Sequence, residues 1–105
     1  MDTNKLKKIA VWYGWQIDDL TITGIGEVWY RKGPISIRER EFSITELYPI
    51  VIKLKEILFT YMKLESETHI IRLKEYLFRG NFDLLVDEMF DSIEFLKEVN
   101  QYEKI

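Results

Sequence analysis

The segment that begins at Ser43 constrains the fold most, because it is a helix pattern with almost no polar side. Ser43-Ile-Thr-Glu46 matches a capping box, in which the Ser43 hydroxyl accepts from the Glu46 amide and the Glu46 carboxylate reaches back. Apolar residues then continue on nearly every face to about Met62 or Leu64, so we expect this helix to be central and buried. Its predicted core residues are Leu47, Ile50, Leu54, Ile57, Leu58 and Tyr61.

Pro49 complicates the start of this helix. If Ser43 is the cap, Pro49 lies too deep for the first turn, where a missing N–H is harmless. We therefore expect a kink, or a short separate turn before a helix proper that begins near Tyr48.

Three further segments show helical periodicity. Thr3 can cap a helix that ends at Gly14, although a strand over Ile9–Tyr13 is the alternative, given the β-propensity of its residues. A second helix is predicted from Ser66 to Phe78 and a third from Asn81 to Val99. Their predicted core residues are Ile70, Leu73 and Leu77 in the former, and Phe82, Leu85, Val86, Met89, Ile93 and Leu96 in the latter.

The segment between Gly14 and Ser43 is predicted to form a sheet. Gly24-Ile-Gly26 and Gly33-Pro34 separate three runs that are rich in β-formers or alternate in polarity. These runs are Gln16–Thr23, Glu27–Lys32 and Ile35–Phe42. The sequence therefore predicts one α+β domain over 1–105, a three-stranded antiparallel sheet packed by helices in the order α-β-β-β-α-α-α.

Composition narrows the functional classes. The 105 residues include no cysteine, which excludes disulfides and thiolate chemistry. No signal-peptide pattern and no apolar run of about 20 residues is present, so we expect a cytoplasmic protein. The net charge of −3 divides unevenly: residues 1–55 hold nine Lys/Arg against seven Asp/Glu, and 56–105 hold six against eleven. Nonspecific nucleic-acid binding depends on neutralising phosphates with lysines and arginines, so a net acidic protein is not expected to bind nucleic acid in this way.

The last predicted helix carries a row of acids, here called the acidic stripe. Its members recur at spacings of four, four, three and four and fall within roughly 80° of the helix: Asp83, Asp87, Asp91, Glu94 and Glu98. Like charges at these spacings repel one another, which points to a positively charged partner. Leu84 and Phe95 flank the stripe and could anchor such a partner, unless another helix covers them. A solvated helix face is the alternative.

A second charged set lies on the predicted sheet and is here called the basic sheet face: Arg31, Lys32, Arg38 and Arg40. It is interleaved with Trp29 and Tyr30, and aromatic residues on a sheet can stack bases while arginines hold phosphates. Strand alternation would put Glu39 and Glu41 on the opposite face. The alternative is a solvated outer face with edge-protecting charges.

No residue pattern fixes a chemistry. His69 is the only histidine, and a helix would point its sequence neighbours away from it, so we predict no catalytic role. A dinucleotide-binding fingerprint needs a third glycine and a helix that follows it. Gly24-Ile-Gly26 has neither. The carboxylates Asp18-Asp19 and Asp87, Glu88 and Asp91 could hold a weak cation site, yet one helix face rarely supplies a full ligand shell. We predict no cofactor and no metal.

The opening Leu6–Gln16 resembles the start of many small phage and prophage proteins, which read Ile-Ala-x-Trp-x-Gly-Trp before a small sheet. The matching positions are Ile9, Ala10, Trp12, Gly14 and Trp15. The resemblance implies a mobile-element origin and assigns no functional residue.

The sequence thus predicts a non-enzymatic binding or inhibitory module of the anti-defence or anti-CRISPR type, in which the acidic stripe engages a basic surface of a host or defence protein. A toxin-neutralising immunity protein, a nucleic-acid-binding regulator that uses the basic sheet face, and a small metal-dependent hydrolase are the alternatives.

Overall fold

A computed structural model describes residues 2–61 and 63–103, with side chains as far as residue 100. The elements follow the predicted order, and the α+β class is confirmed: α1 Thr3–Tyr13, β1 Gln16–Asp19, β2 Val28–Lys32, β3 Ile35–Arg38, a 3₁₀ turn Glu39–Glu41, α2 Ile44–Tyr61, α3 Leu64–Arg79 and α4 Phe82–Glu103. The predicted helix end at Met62 lies outside the described residues.

The first element is a helix, as predicted, and the strand alternative is wrong. Its cap, however, is Asp2 rather than Thr3: the Asp2 Oδ1 atom accepts from the amides of Asn4 at 3.0 Å and Lys5 at 3.2 Å. Gly14 ends the helix with φ at 108°, a conformation that glycine adopts without steric cost.

The three strands form an antiparallel sheet in the order β1-β2-β3. All three strands are shorter than the polarity pattern predicts, β2 by the single residue Glu27. β1 stops at Asp19, whose carboxylate accepts from the backbone amide of Thr21 at 3.0 Å and so starts a turn. β3 stops at Arg38, and the next three residues form the 3₁₀ turn. The polarity pattern of the sequence therefore extends beyond the residues of β1 and β3 that pair with β2.

The capping box of α2 forms with one change. The Glu46 carboxylate accepts from the Ser43 amide at 3.3 Å, as predicted, but the Ser43 hydroxyl accepts from the amide of Thr45 rather than that of Glu46. The helix begins at Ile44 and continues through Pro49, so the separate turn does not occur. Pro49 and Thr45 are both exposed, and water can satisfy the carbonyl of Thr45 that would otherwise accept from residue 49.

The core lies where α1, the inner face of the sheet, α2, α3 and α4 meet. Leu47, Ile50, Leu54 and Leu58 of α2 are fully buried, as predicted, whereas Ile57 and Tyr61 are half-buried. The core residues predicted for α3 and α4 are all buried or half-buried. One face of α2 is open, however, and exposes Tyr48, Ile52 and Phe59. The prediction of a central, buried helix is therefore wrong for that face.

Candidate protein-binding surface

The acidic stripe lies on the outer side of α4. Asn81 fixes the start of the helix, since its Oδ1 accepts from the Leu84 amide at 3.2 Å. The apolar face of α4 packs into the core, and this packing turns the opposite face outward. The side chains of Asp83, Asp87, Asp91 and Glu98 are exposed, and that of Glu94 is half-buried.

Lysines of the same chain neutralise part of the stripe. Lys5 on α1 reaches Asp87, with its Nζ 3.2 Å from Oδ1, and Lys97 lies 3.4 Å from Glu94. The hydrogen bond to Asp87 raises the pKa of Lys5 above its ordinary value, and the charge of Asp91 adds to this effect. Some of the repulsion that the sequence predicts is thus relieved within the chain.

Leu84 and Phe95 differ in exposure. Leu84 is 42% exposed beside the stripe. Phe95 is half-buried and packs against the core, with its ring centroid 5.0 Å from that of His69 on α3. A neighbouring helix therefore covers much of Phe95, which was the alternative that the sequence left open, and Leu84 is the more accessible apolar side chain.

His69 belongs to a buried polar cluster between α3 and α4. Its Nδ1 atom lies 2.6 Å from the Oε1 atom of Glu88 and 3.4 Å from the hydroxyl of Ser92. Arg72 approaches the other Glu88 oxygen at 4.0 Å. Sequence reasoning missed this cluster, because its members on α4 are about 20 residues from His69.

The geometry of this cluster argues for a structural role. Glu88 and Ser92 both lie within hydrogen-bond distance of the Nδ1 atom of His69. In a catalytic triad the carboxylate and the nucleophile contact different ring nitrogens of the histidine. The Glu88 side chain is only 5% exposed, so it does not share a solvent-facing site with Asp87 and Asp91. Within the described residues no group of three or more His, Asp or Glu side chains could hold a metal ion.

Carboxylates and aromatic rings of this chain engage the basic sheet face. The Nε atom of Arg31 lies 3.2 Å from the Oδ2 atom of Asp18. Glu27 is close to two arginines, with its Oε2 atom 3.7 Å from Arg38 Nε and its Oε1 atom 3.9 Å from Arg40 Nη2. Arg38 also lies over the Trp29 ring, and Lys32 lies over the ring of Tyr13.

Strand alternation does not separate the charges at the end of this sheet. Arg40 shares the 3₁₀ turn with Glu39 and Glu41, so the strand that was expected to alternate these charges ends at Arg38. Glu39 accepts a hydrogen bond from the hydroxyl of the buried Tyr30 at 2.7 Å. Nearby carboxylates thus offset the positive charge that would otherwise attract phosphate.

Sequence reasoning also missed an apolar surface on α2 and α3, here called the α2–α3 face. It consists of six large apolar side chains that are 37% to 93% exposed: Tyr48, Ile52, Phe59, Leu64, Ile71 and Phe78. The available signal was the seven-residue spacing of the last three, which continues along one side of a helix.

The described residues contain no helix that is long and apolar enough to cross a membrane. Comparisons of the chain with protein-family models, curated proteins and solved structures give no match.

Proposed function

We propose that this protein acts by binding another protein, with the acidic stripe of α4 directed at a basic surface. One observation carries the proposal: Asp83, Asp91 and Glu98 are exposed, and no described lysine or arginine lies within salt-bridge distance of them. Exposed charges of one sign steer a partner of opposite charge and raise the association rate. Leu84 beside them supplies apolar contact.

The partner that this surface fits is a protein with a cluster of lysines and arginines, such as a nucleic-acid-binding face. Blocking that face would inhibit the partner without any chemical step. The resemblance of the opening residues to phage proteins favours a host or defence protein as the target, in the manner of an anti-CRISPR inhibitor. Neutralisation of a basic toxin would use the same surface.

Charge reversal with a matched control tests the proposal. The stripe variant is Asp83→Lys with Glu98→Lys, and the control is Glu65→Lys with Glu41→Lys. Asp83 and Glu65 both lie in the first turn of a helix, and Glu98 and Glu41 are both exposed. The two variants thus change net charge equally, and Asp83→Lys and Glu65→Lys each alter the first turn of a helix.

The measurement is capture of a partner from host lysate by the wild-type chain, followed by binding kinetics on that partner. The stripe variant should associate more slowly and with less dependence on salt, whereas the control should match the wild type. Leu84→Ala should instead speed dissociation. Equal binding by the wild type and both charge variants would show that the stripe is ordinary solvated surface.

A further inference from the structure

The α3 part of the α2–α3 face is more exposed than a helix packed in a monomer requires. Leu64, Ile71 and Phe78 are 79%, 63% and 93% exposed, although α3 buries Leu73 in the core on its other side. Their spacing of seven residues keeps them within about 40° of one another, along about 21 Å of helix. Large exposed apolar side chains that recur along one side of a helix in this way mark an interaction site.

α2 extends this surface sideways. The two helices are joined through residues 62 and 63 and run antiparallel, with Ile44 at the start of α2 lying beside Gly80 at the end of α3. Phe59 lies in the cleft between them, which Ile70 and Lys74 also line. The result is a two-helix face on which apolar side chains alternate with charged ones such as Lys55 and Glu56, and such a face can be completed by another pair of helices.

Mixed charges on this face indicate what covers it. Glu67 and Lys74 lie seven residues apart on the α2 side of the row, and each lines a cleft that includes Phe59. A partner of uniform charge would attract one of these side chains and repel the other. A second copy running antiparallel satisfies both, because a two-fold axis brings the same side of each helix together and sets Glu67 beside Lys74 of the second copy.

We propose that the α2–α3 face is the interface of a homodimer in which the α3 helices of two copies pack antiparallel about a two-fold axis near Ile71. In this register Ile71 meets its counterpart, and Leu64 lies opposite Phe78 of the second copy. Glu67 falls within one residue of Lys74 across the interface, and the contact occurs twice by symmetry. The interface shares no residue with the acidic stripe, so each copy keeps its partner-binding surface.

Sedimentation equilibrium of the full chain tests the proposal. A dimer with a Kd of about 10 μM or lower is mostly formed at about 100 μM, so the wild type should sediment as a dimer at that concentration. Ile71→Asp should raise the Kd at least about 30-fold, because it places two carboxylates at the apolar centre of the interface. The matched control is Ile22→Asp, since Ile22 is 91% exposed in the turn after β1 and should leave the dimer unchanged.

Charge exchange tests the register. Glu67→Lys alone should weaken the dimer about tenfold, because it turns two attractive contacts into repulsive ones. Glu67→Lys combined with Lys74→Glu should restore the wild-type Kd, an outcome that a mere folding defect would not produce. Circular dichroism confirms that each variant retains its helices. A wild type that stays monomeric at about 100 μM, or a dimer unaffected by Ile71→Asp, would overturn the proposal, and failure to restore by the double exchange would overturn the antiparallel register.

Discussion

Replacing His69 by leucine should destabilise the fold by about 3 kcal/mol, because Glu88 then loses the hydrogen-bond donor that supports its buried carboxylate. The Glu88 side chain is 5% exposed, and its Oε1 atom lies 2.6 Å from His69 Nδ1. A carboxylate accepts hydrogen bonds, so the imidazole nitrogen donates. Leucine keeps most of the side-chain volume and removes the donor.

The magnitude follows from what remains around the carboxylate. Leaving a fully buried charge without its partner costs about 3–5 kcal/mol. Here the His69 side chain is 16% exposed, and Arg72 stays 4.0 Å from the second oxygen of Glu88, so both solvent and the Arg72 guanidinium reduce the penalty. The value therefore falls at the low end of that range.

Urea unfolding followed by tryptophan fluorescence measures the effect. His69→Asn is the matched control, because its amide nitrogen can take the place of Nδ1 while the stacking on Phe95 is lost as in the leucine variant. The asparagine variant should lower the free energy of unfolding by about 1 kcal/mol. In a Glu88→Gln background, His69→Leu should also cost only about 1 kcal/mol, since the group left without a donor is uncharged. Equal losses in the two backgrounds would show that His69 does not support the charge of Glu88.

Three further predictions follow from burial and charge. Leu54→Ala should cost about 3 kcal/mol and Ile57→Ala about half as much in urea unfolding, since the first side chain is fully buried and the second half-buried; equal losses would contradict the packing. Burial, together with a hydrogen bond to a glutamate, raises the pKa of Tyr30. Its phenol thus stays protonated in the folded chain at a pH where it ionises in the unfolded chain, and stability should fall by about 1.4 kcal/mol per pH unit above about 10; Tyr30→Phe should lack this component. Fluorescence titration with DNA or RNA should show no sub-micromolar binding, because the three arginines of the basic sheet face are paired with carboxylates.

Local patterns in the sequence determined the elements and their inner faces. A helix presents the same side every three to four residues whatever it packs against, so the buried faces of α3 and α4 could be predicted from spacing alone. Caps and turns depend on residues within a few positions of one another. For that reason the Glu46 contact to Ser43, the Asn81 cap and the end of α1 at Gly14 were predictable.

Tertiary structure decided which neighbour each outer face meets. Spacing places Asp87 and Phe95 on the outer part of α4, but only the packing of α1 brings Lys5 to the first and only that of α3 brings His69 to the second. The open side of α2 has the same origin. A helix that is apolar nearly all round looks buried in sequence, yet the face of α2 that carries Tyr48 and Ile52 stays exposed. Periodicity fixes which side chains point the same way, and the three-dimensional arrangement of distant segments determines what they touch.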